Sequence, residues 1–237
     1  QIQMAYRAKH TPYRGTLMRK IWIIGNSGAA RECYWIYRDM CSANADLEKS
    51  SCFEGFLSWH NYPSDLRGME DLFRGDVDSF GITPECEFVI GIGHPALRAE
   101  VFDLMKKRGA RFFTLVHPWS DTSHALAQGE ANIFQRGCSI FCDAQIGNAN
   151  YFNGSVTLSH DVCVGDANFF GPFALLLGGC TVGSRNMVAV KTTILANARV
   201  GNDNMLAPGC FVYKGCGNGV RMAGNPAVKI GKVEHSR

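Results

Sequence analysis

The sequence predicts two domains: an α/β N-terminal Rossmann-like domain with a parallel sheet, then an all-β left-handed parallel β-helix made of hexapeptide repeats. Three observations carry this. A strand, a glycine turn and a helix follow one another over 19–40; a second such unit spans 85–109; and large apolar residues recur every sixth position from Ile140 to Val212. The expected boundaries are 1–17 as an extension, native or appended, 18–118 as the Rossmann-like domain, and 119–237 as the β-helix with a C-terminal tail.

The bulk composition suits this reading. A chain of 237 residues can bury a sizeable core. Apolar residues make up 46% and charged residues 19%, with 24 Lys+Arg against 21 Asp+Glu, so no basic patch invites a nucleic acid. No stretch approaches the roughly 20 apolar residues of a spanning helix, and no apolar signal-peptide core is evident, so a cytoplasmic protein without membrane insertion is expected. The ten cysteines are scattered without any CxxC pair and read as reduced, mostly buried thiols.

In the first half, "RKIWIIGNSGAARECYWIYRDM" gives an apolar strand (Ile21 to Ile24), a turn (Gly25 to Gly28) and a helix with apolar Cys33, Ile36, Tyr37 and Met40. The turn suits a phosphate but lacks a full GxGxxG, and a tight turn without a ligand fits the same residues. "ECEFVIGIG" (85–93) reads as a buried strand ending in glycines, 95–109 as an amphipathic helix and "RFFTLVHP" (111–118) as another strand. Strands alternating with helices imply a parallel sheet whose carboxyl edge carries both glycine turns.

In the second half, all thirteen residues taken at steps of six from Ile140 through Val212 are large and apolar. If about a third of positions were of this kind, such a run would arise by chance on the order of once in a million, so the repeat is real. Three hexads close a triangular coil, and each residue stacks on the one 18 positions away. His160, two residues after the anchor Leu158, is then level with Cys142, Gly178 and Ala196 at a corner of the triangle. A lone histidine is more often structural than catalytic. The glycine beside it and the run "SHD" favour chemistry here.

These pieces in this order resemble the NeuD/PglD type of acetyl-CoA-dependent acetyltransferases, which act on sialic acid or on the amino group of nucleotide-linked amino sugars. The resemblance covers essentially all of 19–230 and is carried by "IIGNSGAARE", "FVIGIG", "VHP", "NGSVTLSHDVCVG" and "AGNPAVKI". It implies a general base at His160, an acid at Asp161, an asparagine at Asn153 and a homotrimer. Acetyl-CoA as co-substrate would lie between subunits near Phe169, Gly178, Val190 and Pro208, and the nucleotide-linked amino sugar near Asn26, Ser27, Gly28 and Ala29. The chain departs from the family pattern at Ala29, where a histidine is common, and at "FLSWH" (56–60), where "FLDD" is common.

The chemistry expected is direct acetyl transfer. An amine attacks the thioester as a neutral imidazole at His160 takes its proton, a role suited to a group titrating near the working pH. Asp161 would fix the imidazole tautomer, with Asp143 one coil earlier as a competitor. The Gly178 N–H is the candidate oxyanion donor, although the turn alone could require that glycine. Asn153 would hold the acceptor or a water, or simply suit a corner. O-acetylation of sialic acid or another sugar hydroxyl, and a non-catalytic sugar-binding scaffold, are the alternatives. No metal is expected, since a zinc site of the γ-carbonic anhydrase kind needs three histidines and the repeat holds one.

Overall fold

Strand β1 (Arg19–Ile24) pairs in parallel with β2 (Ser51–Ser58) on one side and β4 (Cys86–Ile90) on the other, which is why Ile21, Ile23 and Ile24 are fully buried. The computed structural model describes residues 18–60, 65–125 and 127–234; the extension over 1–17 and the last three residues of the tail lie outside these. With β3 (Phe73–Asp76) and β5 (Arg111–Phe112), the five parallel strands run in the order β3-β2-β1-β4-β5. The strand order reverses between β1 and β4, and both glycine turns open at that point. Gly25 has φ +129°, and a Cβ on it would stand 2.4 Å from the Gly91 carbonyl oxygen, so the two turns touch where only glycine fits.

Helix α1 (Gly28–Ala43) buries Cys33, Ile36, Tyr37 and Met40, the spacing the sequence predicts. It stops at Asn44, which leaves the helical region and caps the short α2 (Ala45–Ser50) by accepting from the Asp46 and Leu47 N–H groups. Helix α3 (Pro95–Lys107) begins on a proline, which needs no N–H partner there.

The run 111–118 is not one strand. Arg111–Phe112 completes the first sheet, whereas Leu115–Val116 pairs with Ile133–Phe134 of the second domain, with the Leu115 N–H bonded to the Asn132 carbonyl. An apolar run keeps the same appearance across such a break.

From there the chain coils with an 18-residue period. Face 1 holds Ile133–Phe134, Tyr151–Phe152, Phe169–Phe170, Met187–Val188 and Met205–Leu206; face 2 runs from Ser139–Ile140 to Phe211–Val212; face 3 runs from Ala127–Gln128 to Gly215–Cys216. Ladders join each pair to the one 18 residues on, as Thr157 to Leu175. All thirteen anchors from Ile140 to Val212 are buried, and the rings of Phe134, Phe152 and Phe170 stack at 4.7 and 4.9 Å. Each corner turns on a left-handed residue, among them Asp143, Ser155, Asp161, Ala167, Phe173 and Gly179.

At the corner between faces 3 and 1, the inward residues are not apolar. Asn132, Asn150, Asn168, Asn186 and Asn204 are buried there as a ladder, each side-chain oxygen accepting the backbone N–H of the next member or, last, of Val220 at 2.7–2.9 Å. They satisfy corner amides that a hydrocarbon side chain would leave unpaired.

The α/β domain docks on face 1 through a buried cation. Arg98 on α3 is fully buried and donates to the Ile90 and Ile92 carbonyls, each at 2.7 Å, and to Ala149 at 2.7 Å, with longer bonds to Ala131 and Asn150. It thus ties the second glycine turn to two solenoid coils. Desolvation pushes its pKa down to about 10, so the guanidinium remains charged at neutral pH.

Candidate active site

The corner between faces 2 and 3 carries His160. Its backbone carbonyl accepts the Gly179 N–H at 3.0 Å, and the Asp161 N–H reaches the Cys142 carbonyl at 3.1 Å, so the coil pairing anchors the main chain on both sides of the ring. Asp161 is left-handed, at φ 59°, in the same column as Asp143, Gly179 and Asn197. Aspartate tolerates that conformation and here also bends back on its neighbour: His160 Nδ1 and Asp161 Oδ2 are 2.7 Å apart. A carboxylate accepts only, so in the neutral imidazole Nδ1 carries the proton and Nε2 presents its lone pair. Both side chains are 64% exposed, and Nε2 has no hydrogen-bond partner among the described residues. Asp143 makes no bond to His160; its own N–H is turned to the His124 carbonyl at 3.2 Å.

Gly178 lies one coil beyond, directly under the imidazole. A Cβ on it would fall 2.5 Å from both Cε1 and Nε2 of His160, so the ring occupies the space that glycine leaves. The Gly178 backbone is not in the left-handed region, and the corner needs glycine for this contact, not for its φ. Among the described residues the Gly178 N–H makes no backbone bond. A lone pair, a carboxylate behind it and a free N–H therefore stand together on one corner.

The second region is the carboxyl edge of the first sheet. Ser27 caps α1 without a side-chain bond and no acidic residue sits in the first turn, so the N–H groups of Gly28 and Ala29 and the positive end of the helix dipole are open to an anion. Ser27 is exposed, Gly28 and Ala29 are half-buried, and Asn26 is buried with its carbonyl accepting the Asp65 N–H at 2.8 Å. Arg31 stands over the turn with an Nη 3.6 Å from Asp65. In "FLSWH", Ser58 donates to Asp76 at 2.8 Å and His60 meets Asp78 at 3.0 Å, so carboxylates from the β3 end stand beside the end of β2.

The other candidates fall on a third place, the corner between faces 1 and 2. Asn153 is half-buried there, its side-chain amide without a partner among the described residues. Val190 and Pro208 are exposed in the neighbouring column of that corner. Phe169 lies in the seam between the domains, 5.4 Å from the Tyr151 ring and against Gly93. Within one chain the fold brings His160, Asp161 and Gly178 together, while face 2 separates them from Asn153, Val190 and Pro208. At the seam Glu32, Gln135 and Tyr151 form a hydrogen-bonded cluster that no local motif in the sequence signals. Among the described residues no three His, Cys, Asp or Glu side chains gather as a metal-holding group, and no helix is long and apolar enough to cross a membrane.

No protein-family model matches the sequence, and no curated protein matches it either. Solved structures do. PerB from Caulobacter crescentus in complex with CoA and GDP-perosamine superposes with a TM-score of 0.78 at 22% identity, covering 90% of this chain and 97% of that one. The acetyltransferase domain of PglB from Neisseria gonorrhoeae, in complex with acetyl coenzyme A, gives 0.74 at 16%, over 90% of this chain and all of that one (100%). WeeI from Acinetobacter baumannii gives 0.71 at 18%, over 91% and 100%. The fold shared along these lengths is a Rossmann-like domain followed by a left-handed β-helix.

Proposed function

We propose that this chain is an acetyl-CoA-dependent N-acetyltransferase acting on the amino group of a nucleotide-linked 4-amino-6-deoxy sugar. The observation that carries the reading is the corner constellation: His160 with Nδ1 held by Asp161, Nε2 free, and Gly178 opening the space and the N–H beside it. Support for the substrate class comes from the whole-length likeness to a protein that holds CoA and GDP-perosamine together.

Mechanistically, the acceptor amine approaches the thioester carbonyl as a neutral nucleophile. His160 Nε2 takes the proton released as the C–N bond forms, and Asp161 stabilises the imidazolium that results. The Gly178 N–H donates to the oxygen on which negative charge develops. Collapse of that intermediate expels the CoA thiolate, which takes the proton from the His160 imidazolium and leaves as the thiol, restoring the free base. The chain itself forms no covalent intermediate.

A homotrimer completes this site. His160 occupies one corner, Asn153, Val190 and Pro208 another, and the glycine turn lies against face 1, so a second copy must supply the groups for the acceptor and for acetyl-CoA opposite His160. The α1 N-terminus and Arg31 hold the nucleotide phosphates, by exposed N–H groups and by charge.

The test is CoA thiol release with a panel of UDP-, GDP- and dTDP-linked 4-amino-6-deoxy sugars, alongside sialic acid. Turnover on one amino sugar supports the reading. Turnover confined to sialic acid would replace it by O-acetylation, and tight sugar binding without transfer would leave a scaffold.

A further inference from the structure

Glu32 lies one helical turn past Gly28, on the same face of α1 as the end of the glycine turn. Its carboxylate is exposed yet fixed: Oε2 accepts from the Tyr151 hydroxyl at 2.8 Å and from Gln135 Nε2 at 2.7 Å. Gln135 also donates to the Tyr151 oxygen at 2.8 Å, which closes a three-membered ring of bonds across the domain seam. Tyr151 is 1% exposed and lies beneath Arg98, 5.3 Å from the guanidinium carbon. Burial holds its phenol well above the usual pKa, so it remains a donor. Oε1 of Glu32 has no partner among the described residues, and the side chain is exposed.

The position is as informative as the bonding. Gln135 is level with Asn153, one coil apart, and the Gln135 N–H bonds the Phe152 carbonyl at 2.9 Å. Phe169, next to Tyr151, lies against Gly93 of the second glycine turn. Glu32 therefore links the helix after the turn that suits a nucleotide to Gln135, and Asn153, one coil on from Gln135, has its side-chain amide without a partner among the described residues. An ordinary surface glutamate is a mobile side chain; this one is an acceptor held in place from below.

We infer that Glu32 is a specificity-determining residue that accepts a hydrogen bond from a hydroxyl of the nucleotide-linked sugar, with Tyr151 and Gln135 as its positioning residues. This rests on the acceptor class proposed above. The partner is a hydroxyl and not the reacting amine, because a carboxylate beside the amine would hold it protonated and block its attack.

The experiment compares wild type with Glu32→Gln and Glu32→Ala, using the matched nucleotide amino sugar, its mono-deoxy analogues and the bare nucleoside diphosphate. The expected result is a ~10- to 100-fold rise in KM for the sugar in both variants, the range for a hydrogen bond to a charged group. The KM for acetyl-CoA and the affinity for the nucleoside diphosphate stay at wild-type values, and the melting temperature holds in Glu32→Gln, whose amide oxygen still accepts from Tyr151, while Glu32→Ala melts lower because the buried Tyr151 hydroxyl loses its acceptor. One mono-deoxy analogue binds wild type and variants equally. An unchanged sugar KM in the variants overturns the inference, and so does a parallel loss of sugar binding, nucleoside diphosphate binding and stability in Glu32→Gln, which would mark a seam contact only. If the wild type binds no nucleotide sugar at all, the acceptor class falls and this inference falls with it.

Discussion

Replacing Gly178 by alanine tests the corner without touching its reactive atoms. The added Cβ would stand 2.5 Å from Cε1 and Nε2 of His160. Carbon atoms rest at about 3.5–4.0 Å, so the imidazole must retreat by about 1–1.5 Å. A displacement of about 1 Å in a catalytic group costs on the order of 10²-fold in rate, or about 2.7 kcal/mol of barrier. Folding should hardly notice. The ring is 64% exposed and can swing into solvent, and the Gly178 backbone is one that alanine adopts, so the change in stability stays within about 0.5 kcal/mol. Initial rates of acetyl transfer and a thermal melt of the same samples are the assay. The predicted result is a fall in kcat/KM of about 10²-fold or more with an unchanged melt. Wild-type turnover in Gly178→Ala would refute the claim that the imidazole must stand where this glycine lets it stand.

Other consequences concern the frame. Asn168→Ala removes the acceptor of the Asn186 N–H and the donor to the Gly183 carbonyl, both at 2.8 Å, and should cost about 3–5 kcal/mol, read by denaturant unfolding. Arg98→Met strips the donors from the Ile90, Ile92 and Ala149 carbonyls and should lower stability by about 3–5 kcal/mol, with calorimetry resolving separate transitions for the two domains. Burial pushes the thiols of Cys33, Cys138 and Cys180 up to about 12 from an ordinary 9.0. The unfolded chain ionises these thiols first, so their contribution is intact below about pH 9 and stability falls as pH rises from there towards 12. In the same vein, a thiol reagent at neutral pH should label exposed Cys142 quickly and reach Cys33, Cys138 and Cys180 only on unfolding, as peptide mapping would show.

The repeat was legible because its period is enforced at every anchor: a polar residue at Phe152 or Val188 would face a closed interior. From that period alone His160 and Gly178 become neighbours, and the geometry agrees to the contact of one missing Cβ. The asparagine ladder was equally present, at steps of 18 from Asn132 to Asn204, but a search for apolar residues passes over it. The break after Phe112 was hidden for the opposite reason, since both sides of it are apolar and buried. Glu32, Gln135 and Tyr151 could not be linked by any local pattern, because up to 119 residues separate partners that only domain docking brings together. The bond from His160 to Asp161 instead of Asp143 likewise depends on a side-chain rotamer, which spacing does not specify.

Acetyl transfer by His160→Ala against wild type, on the amino sugar that the wild type accepts and with acetyl-CoA binding measured in parallel, tests the central claim most directly. The account predicts a loss of turnover of about 10²- to 10⁴-fold, the range for a general base, with acetyl-CoA still bound. Near-normal turnover in His160→Ala would contradict it and remove the base from this corner.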